Sequence, residues 1–278
     1  MQNKTVLVTG SSSGFGRDIA KHFAAQGWNV VATMRTPSDA RELAELPNVL
    51  VTPLDVQDRA SIDAAVEATI ARFGRIDVVV NNAGFGLFGL FEATPREKVL
   101  EQLEVNVIGL MDVTRAVLPQ LRAQRSGVVV NVTSGAGVFT LPMSSLYSAS
   151  KFAVEGFSES LSYELAPLGI AVKLIEPGGV LSTRFNERAF GEAARNRAIS
   201  DYDPFVTATM ARFDELLAER RTATSADVAA VIFGAATDGT DRLRYVATPD
   251  IEPMVALRRS TSEDEYLRTM RARFGFRG

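Results

Sequence analysis

The stretch VTGSSSGFG, Val8–Gly16, joins a β-branched apolar run to a segment with helical spacing. Gly10, Gly14 and Gly16 let the backbone turn tightly and come close to a ligand. A helix N-terminus directly behind them offers unpaired N–H groups and the positive end of a dipole to an anion such as a pyrophosphate. The spacing is not G-x-G-x-x-G, and no lysine follows as a phosphate-cradling P-loop requires. Taken alone, the stretch reads equally as a simple glycine-rich turn. Its place at the first strand–helix junction favours nucleotide binding. Ser11, Ser12 and Ser13 suit a helix cap, a phosphate contact, or both.

Working outward, short apolar runs recur at Val6–Val8, Val30–Ala32, Val49–Val51, Val78–Val80, Val128–Val132, Ala171–Ile175 and Tyr245–Ala247. They are continuous rather than alternating, as parallel strands covered on both faces require. Segments with helical spacing lie between them: Gly14–Gln26, Asp58–Phe73, Pro95–Gln124, Ser144–Ala166 and Ser225–Thr237. Strand and helix in alternation predict an α/β fold, a doubly wound parallel sheet with helices on both faces. No repeat or linker divides residues 1–278, so one domain is expected. It would carry a helical substrate flap over about 181–221 and a helical tail over about 260–275, strongest at Ser262–Phe274.

Composition narrows the function. The chain has 46% hydrophobic residues, a net charge of -3, a pI near 5.4, no cysteine and one histidine. That balance disfavours a nucleic-acid partner, and the missing cysteine and near-absent histidine disfavour a metal site. No apolar run reaches the ~18 residues of a membrane span. An early strand-like run, Thr5–Thr9, predicts no leader peptide, and a cytoplasmic protein is expected. His22 and Trp28 read as packing residues.

Two positions bear on the ligand's sugar. The second apolar run ends VVATMRTP, with Arg35 where an NAD-binding unit carries a carboxylate, which favours NADP(H). Arg17 offers a second phosphate contact, and solvated arginines are the plain alternative. Asp55, ending the third run, suits an adenine edge or a helix cap. Further along, LYSASKFAVEGF (Leu146–Phe157) sets Tyr147 and Lys151 four residues apart, on one helix face. The pair reads as an acid–base device or as a surface pair.

These features, with Asn81-Asn82-Ala83-Gly84, Asn106, Ser134 and Pro177-Gly178, stand in order at carboxyl ends of strands or on following helices. Together they resemble the short-chain dehydrogenase/reductase family, in its compact single-domain, Rossmann-type branch. The resemblance runs from Thr5 to about Thr183, more weakly through Ser225–Ala247. YSASKFAVEGFSESLSYEL is most like hydroxysteroid and retinol dehydrogenases. It implies Tyr147 as acid/base, Lys151 as its electrostatic partner and ribose contact, Ser134 as orienter of the substrate oxygen, and Asn106 as holder of a relay water. It also implies a cofactor site of Gly10, Ser12, Ser13, Gly14, Phe15, Gly16, Arg35, Asp55, Val56, Asn82, Ala83, Gly84, Tyr147, Lys151, Pro177, Gly178 and Val180. An unperturbed tyrosine titrates near 10, so Lys151 and the nicotinamide's charge are expected to lower Tyr147 toward ~7. After Pro177-Gly178, either Ser182 or Thr183 could face the carboxamide.

The flanking segments FGLFGLF (Phe85–Phe91) and GVFTLPM (Gly137–Met143) are strongly apolar. They predict a lipophilic ketone, aldehyde or alcohol as substrate, with Phe88, Val138, Met143 and Phe185 as walls beside Ser134 and Tyr147. Loop packing alone is the other reading. A sugar-nucleotide epimerase or dehydratase, or a cofactor-sensing regulator on the same fold, is the alternative function. By analogy with the family, a homodimer or homotetramer is expected.

Overall fold

The computed structural model describes residues 3–180, 189, 199–218 and 223–275. Seven parallel strands form one sheet in the order β3-β2-β1-β4-β5-β6-β7. They are β1 (Thr5–Val8), β2 (Asn29–Met34), β3 (Val49–Pro53), β4 (Val78–Asn81), β5 (Gly127–Val132), β6 (Ile170–Glu176) and β7 (Arg244–Val246). The chain works outward from β1 to β3, then returns to place β4 beside β1. That reversal opens a crevice at the carboxyl ends of the central strands, where such sheets bind ligands.

Two buried clusters explain the continuous apolar runs. Val6, Val8, Val30, Val78, Val80 and Val130 face α1 (Gly14–Ala25) and a late helix over Ser225–Thr237, against Ile19, Phe23 and Ile232. Leu7, Val31, Val79 and Val129 face the other side, against Ile62, Val113, Val117 and Leu161. Each fully buried side chain of this kind contributes ~1.5–3 kcal/mol. His22 and Trp28 belong to this packing, with Phe233 5.2 Å from His22 and Phe23 edge-on to Trp28 at 5.2 Å.

After α1 follow a short α2 (Arg41–Ala44) and α3 (Arg59–Phe73), the latter capped by Asp58, whose carboxylate accepts the Ala60 N–H at 3.0 Å. Where one helix is expected over Pro95–Gln124, α4 (Arg96–Leu103) and α5 (Gly109–Gln124) are joined by a π-turn, Glu104–Ile108. Asn106 sits in it. α6 (Ser145–Leu165) carries Tyr147 and Lys151. α7 (Asp203–Ala218) is the helical part of the expected flap, and Ser182, Thr183 and Phe185 lie outside the described residues. α8 (Ser225–Thr237) starts with a Thr224/Asp227 capping box. The tail holds two helices rather than one: α9 (Glu252–Ser260) and α10 (Glu263–Arg273), the second capped by Ser262. Among the described residues, no helix is long and apolar enough to cross a membrane.

Candidate active site

A cavity of about 720 Å³ runs along the carboxyl ends of the strands. At one end, Gly10, Ser12, Ser13, Gly14 and Phe15 line it together with Arg35, Asp55 and Val56. Gly10 takes φ +71°, a conformation that costs a side chain ~1–2 kcal/mol. At Gly16 the reason for glycine is space. A Cβ there would stand 2.2 Å from the Gly10 carbonyl oxygen and 2.6 Å from Asn82 Nδ2. The N-cap residue Ser13 makes no side-chain capping bond, so the first N–H groups of α1 are left for a ligand. Neighbouring side chains hold the turn rather than enter it. Thr9 Oγ1 accepts the N–H groups of Asn82 and Ala83, both at 3.0 Å, and Asn82 Nδ2 donates to the Thr9 oxygen at 2.9 Å.

Arg17 is not among the residues lining the cavity. It donates to the Ser12 carbonyl and pairs with Glu42 at 3.3 Å, so it braces the glycine turn. Arg35 is exposed at the rim and, among the described residues, has no hydrogen bond or ion pair. Asp55 lines the cavity and also acts as a turn cap, accepting the Gln57 N–H at 3.1 Å.

Deeper in the crevice, Ser134, Tyr147 and Lys151 meet. β5 ends at Val132, and Ser134 caps the 3-10 turn Gly135–Gly137, its hydroxyl accepting the Ala136 N–H at 3.1 Å. The Ser134 hydroxyl is near enough to the Tyr147 phenol to favour its ionised form. Lys151 Nζ donates to the Val132 carbonyl at 2.9 Å and lies 5.8 Å from the Tyr147 ring centre. α6 is tied to the sheet by a buried relay: Asn81 Nδ2 donates to Asn131 Oδ1 at 2.8 Å, and Asn131 Nδ2 to Ser158 Oγ at 2.8 Å.

Burial governs the charges. It pushes the Tyr147 phenol up to about 12, with the Ser134 hydroxyl pulling weakly the other way. It pulls Lys151 down to about 8, opposed by the charge of Glu155. Without the nicotinamide's charge, burial is the larger influence on the phenol. Both side chains are desolvated, and desolvation disfavours both charged forms.

Asn106 is fixed through its own side chain. Its Oδ1 accepts the Phe85 N–H at 3.0 Å, and its Nδ2 donates to the Phe85 carbonyl at 2.9 Å and Ser150 Oγ at 3.1 Å. The side chain is thus spent on holding Phe85 against α6. Gly84 is pressed beside it, since a Cβ there would meet Asn106 Oδ1 at 3.0 Å.

Residues 4–193 match the short chain dehydrogenase family. This chain is a short-chain dehydrogenase/reductase. Human 17-beta-hydroxysteroid dehydrogenase type 1 is 35% identical over 275 residues, spanning 93% of this chain and 81% of that one. A solved short-chain dehydrogenase from Streptomyces avermitilis is 34% identical with a TM-score of 0.81, covering 99% of this chain and 96% of that one. A Burkholderia phymatum member, solved with NAD, is 28% identical with a TM-score of 0.79 over 96% and 95% of the two chains. The protein is accordingly an NAD(P)-binding oxidoreductase acting on CH–OH groups. The glycine cradle, the uncapped α1 N-terminus and the length of the cavity fit that dinucleotide.

The dehydrogenase's cavity continues past Tyr147 between apolar walls. Phe88 lines it, its ring 5.9 Å from that of Tyr147. Pro177, Gly178 and Val180 line it as well, and a Cβ on Gly178 would stand 2.4 Å from Asp250 Oδ1. Two expected walls are not among the lining residues. Val138 packs into the tail cluster with Ile251 and Val255, and Met143 acts through its backbone, whose carbonyl accepts the Gly89 N–H at 2.7 Å. Phe185 lies outside the described residues. The far wall comes instead from the loop after Ser134 and from α7, α9 and α10: Phe139, Leu141, Phe213, Leu216, Met254 and Phe274. Phe139 and Leu141 belong to the apolar segment Gly137–Met143, whereas Phe213, Leu216, Met254 and Phe274 are revealed only by proximity in the fold, because in sequence their helical spacing reads as core.

Proposed function

We propose that the chain is an NADP(H)-dependent carbonyl reductase, or the reverse alcohol dehydrogenase, acting on a bulky lipophilic ketone or aldehyde. The observation that carries this reading is the buried phenol of Tyr147. It shares the cavity with Ser134, stands one helical turn from Lys151, and lies where the glycine-lined half of the cavity meets its apolar half. The nicotinamide, when bound, supplies or takes up the hydride.

The remaining work falls to side chains. Ser134 donates to the substrate oxygen and orients it. Tyr147 gives its proton to the oxygen as the carbonyl becomes an alcohol, and a positioned donor of this kind is worth ~10²–10⁴ in rate. A phenol held near 12 is fully protonated at neutral pH, which suits reduction. Lys151 holds the ribose and steadies the phenolate left behind. Asn106 is a positioning residue that fixes Phe85 and, through Ser150, the catalytic helix. Arg35 at the rim takes the 2′-phosphate, and Asp55 and Val56 flank the adenine. The apolar walls, and the relation to a hydroxysteroid dehydrogenase, support a polycyclic or long-chain substrate. Exposed Leu100, Ile108, Phe152 and Tyr163 on α4 to α6 support pairing with a second copy. A chain without cysteine suits a cytoplasmic enzyme.

The test is Tyr147→Phe, assayed by loss of reduced-nicotinamide absorbance against bulky and small ketones with NADPH and NADH. Turnover on bulky ketones should prefer NADPH and fall by ~10²–10⁴ in the variant, while cofactor affinity holds. Near-normal turnover by Tyr147→Phe refutes the assignment. Cofactor binding with no turnover in either direction would point to a regulator.

A further inference from the structure

We propose that Glu155 is a positioning residue of this reaction: its buried carboxylate, clamped by Thr133 and Arg244, is the anion that keeps Lys151 charged beneath Tyr147. The inference rests on the roles given above to Tyr147 and Lys151.

Lys151 and Glu155 stand one turn apart on α6 and are 7% and 6% exposed, too little for water to carry either charge. Glu155 is held from two sides. Thr133, the residue before Ser134, donates its hydroxyl to Oε1 at 2.7 Å, and Arg244 on β7 donates Nε to Oε2 at 2.9 Å. A Cβ on Gly137 would stand 3.0 Å from Glu155 Cγ, so the turn behind Ser134 closes tightly over the carboxylate stem. The same few residues thus fix Ser134, Lys151 and Glu155 relative to one another.

Other carboxylates stand in this part of the molecule. Glu159 lies two turns away, is 45% exposed, and takes Arg244 Nη2 at 2.5 Å. Glu176, at the end of β6, is fully buried and takes Arg259 of α9 at 2.5 Å, with Arg244 at 3.8 Å. Burial first, and Glu155 second, raise its carboxyl above the ordinary range, which makes it a poor counter-ion. Glu101 of α4 pairs with Lys98 at 2.8 Å. Asp250 lines the same cavity from the loop before α9, against Gly178. From the π-turn come only the uncharged groups of Asn106. Glu155 is the charge that opposes burial at Lys151, whose ammonium is held near 8.

The protein contains five lysines, at positions 4, 21, 98, 151 and 173, so [13Cε]lysine gives five NMR resonances to titrate. The full chain needs no turnover for this reading, so the result stands whether or not Tyr147→Phe behaves as expected. In the native protein the Lys151 signal should titrate near pH 8. In Glu155→Gln, which keeps the shape and removes the charge, the midpoint should fall by at least ~1 unit. Glu159→Gln loses a pairing to the same Arg244 without approaching Lys151, and should leave the midpoint in place. The alkaline limb of ketone reduction should move with the NMR midpoint in each variant, through kcat and not through the KM of the ketone. If Glu155→Gln does not fold, Arg244→Gln carries the test in the opposite direction, because it removes a cation competing for Glu155 and should raise the midpoint. A Lys151 midpoint that stays put in the folded variant, or that moves equally in Glu159→Gln, overturns the proposal.

Discussion

Gly16→Ala is the sharpest test of the glycine turn. The added Cβ would stand 2.2 Å from the Gly10 carbonyl oxygen and 2.6 Å from Asn82 Nδ2. Neither atom can step aside. The first is backbone in a left-handed residue, and the second is held by the carbonyls of Thr9 and Gly10 at 2.9 and 3.2 Å. A relaxed carbon–oxygen contact is about 3.3 Å, so α1 must retreat by about 1 Å. Overpacking of this kind costs ~1–3 kcal/mol of stability. The retreat also draws the α1 N–H groups back from the phosphates, where a hydrogen bond to a charged group is worth ~1.5–3 kcal/mol. Loss of about 2 kcal/mol corresponds to some thirtyfold weaker cofactor binding. The assay is a fluorescence titration with reduced dinucleotide, beside thermal melts without ligand. Gly156→Ala is the control. It lies exposed in the interior of α6 with nothing within 4 Å of its Cβ, and should gain ~1 kcal/mol. An unchanged melting temperature with affinity down by less than ~3-fold would mean that helix and turn do not meet as described, and the reasoning would fail.

Other perturbations have equally definite outcomes. Phe213→Ala and Phe274→Ala, whose rings meet edge-on at 5.9 Å, should each lower kcat/KM for a bulky apolar ketone by ~1.5–3 kcal/mol and spare a small one; equal losses on both would remove the tail from the substrate wall. Arg35→Ala should weaken NADPH by ~10–100-fold with NADH unchanged, read by the same titration. Tyr245→Phe should show a pH-dependent loss of stability, followed by urea unfolding from pH 7 to 2. Burial pushes the Asp238 carboxyl up, but bonds from Tyr245, Thr240 and Lys173 outweigh it and bring it down to about 2. A carboxyl depressed on folding stabilises above its unfolded value and loses that contribution as pH falls through its folded one. With Asp238 28% exposed and partly screened, Tyr245→Phe should therefore cost ~1 kcal/mol at neutral pH, fading between about 4 and 2; a loss constant with pH would dissociate the bond from the titration.

The fold is legible in sequence because both faces of the sheet are buried. Val6, Leu7 and Val8 are all fully covered, alternate members facing opposite clusters, so each strand appears as an unbroken apolar run ending at a glycine or polar turn. What stays hidden is structure without a compositional mark. The π-turn at Glu104–Ile108 adds one residue to a helical pattern that looks continuous on either side. α9 carries Pro253 in its first turn, which reads as easily as a loop, and hides one of the two tail helices. Met143 takes φ +59°, a conformation that a glycine would have announced and a methionine does not.

The site divides along the same line. Gly10, Ser134, Tyr147 and Lys151 are legible because their chemistry is local, a turn or a pair on one helix face. The far wall draws on four separated segments, and Phe213 and Phe274 are indistinguishable from core until the tail folds back. The electrostatics were hidden for a further reason. A spacing of four residues says that phenol and ammonium are near one another, but not that both are dry. With Tyr147 near 12 and Lys151 near 8, the isolated pair passes from phenol and ammonium to phenol and amine before any phenolate forms. An ion pair of phenolate and ammonium is then never its favoured state. Running the reaction toward the ketone, where Tyr147 must first lose its own proton in order to accept the alcohol's, requires positive charge from outside the pair, together with an anion that prevents Lys151 from losing its own. The burial that shields the reacting oxygen from water thus makes the motif depend on groups outside it, and Glu155, four residues further along the same helix, is the one that the chain itself supplies.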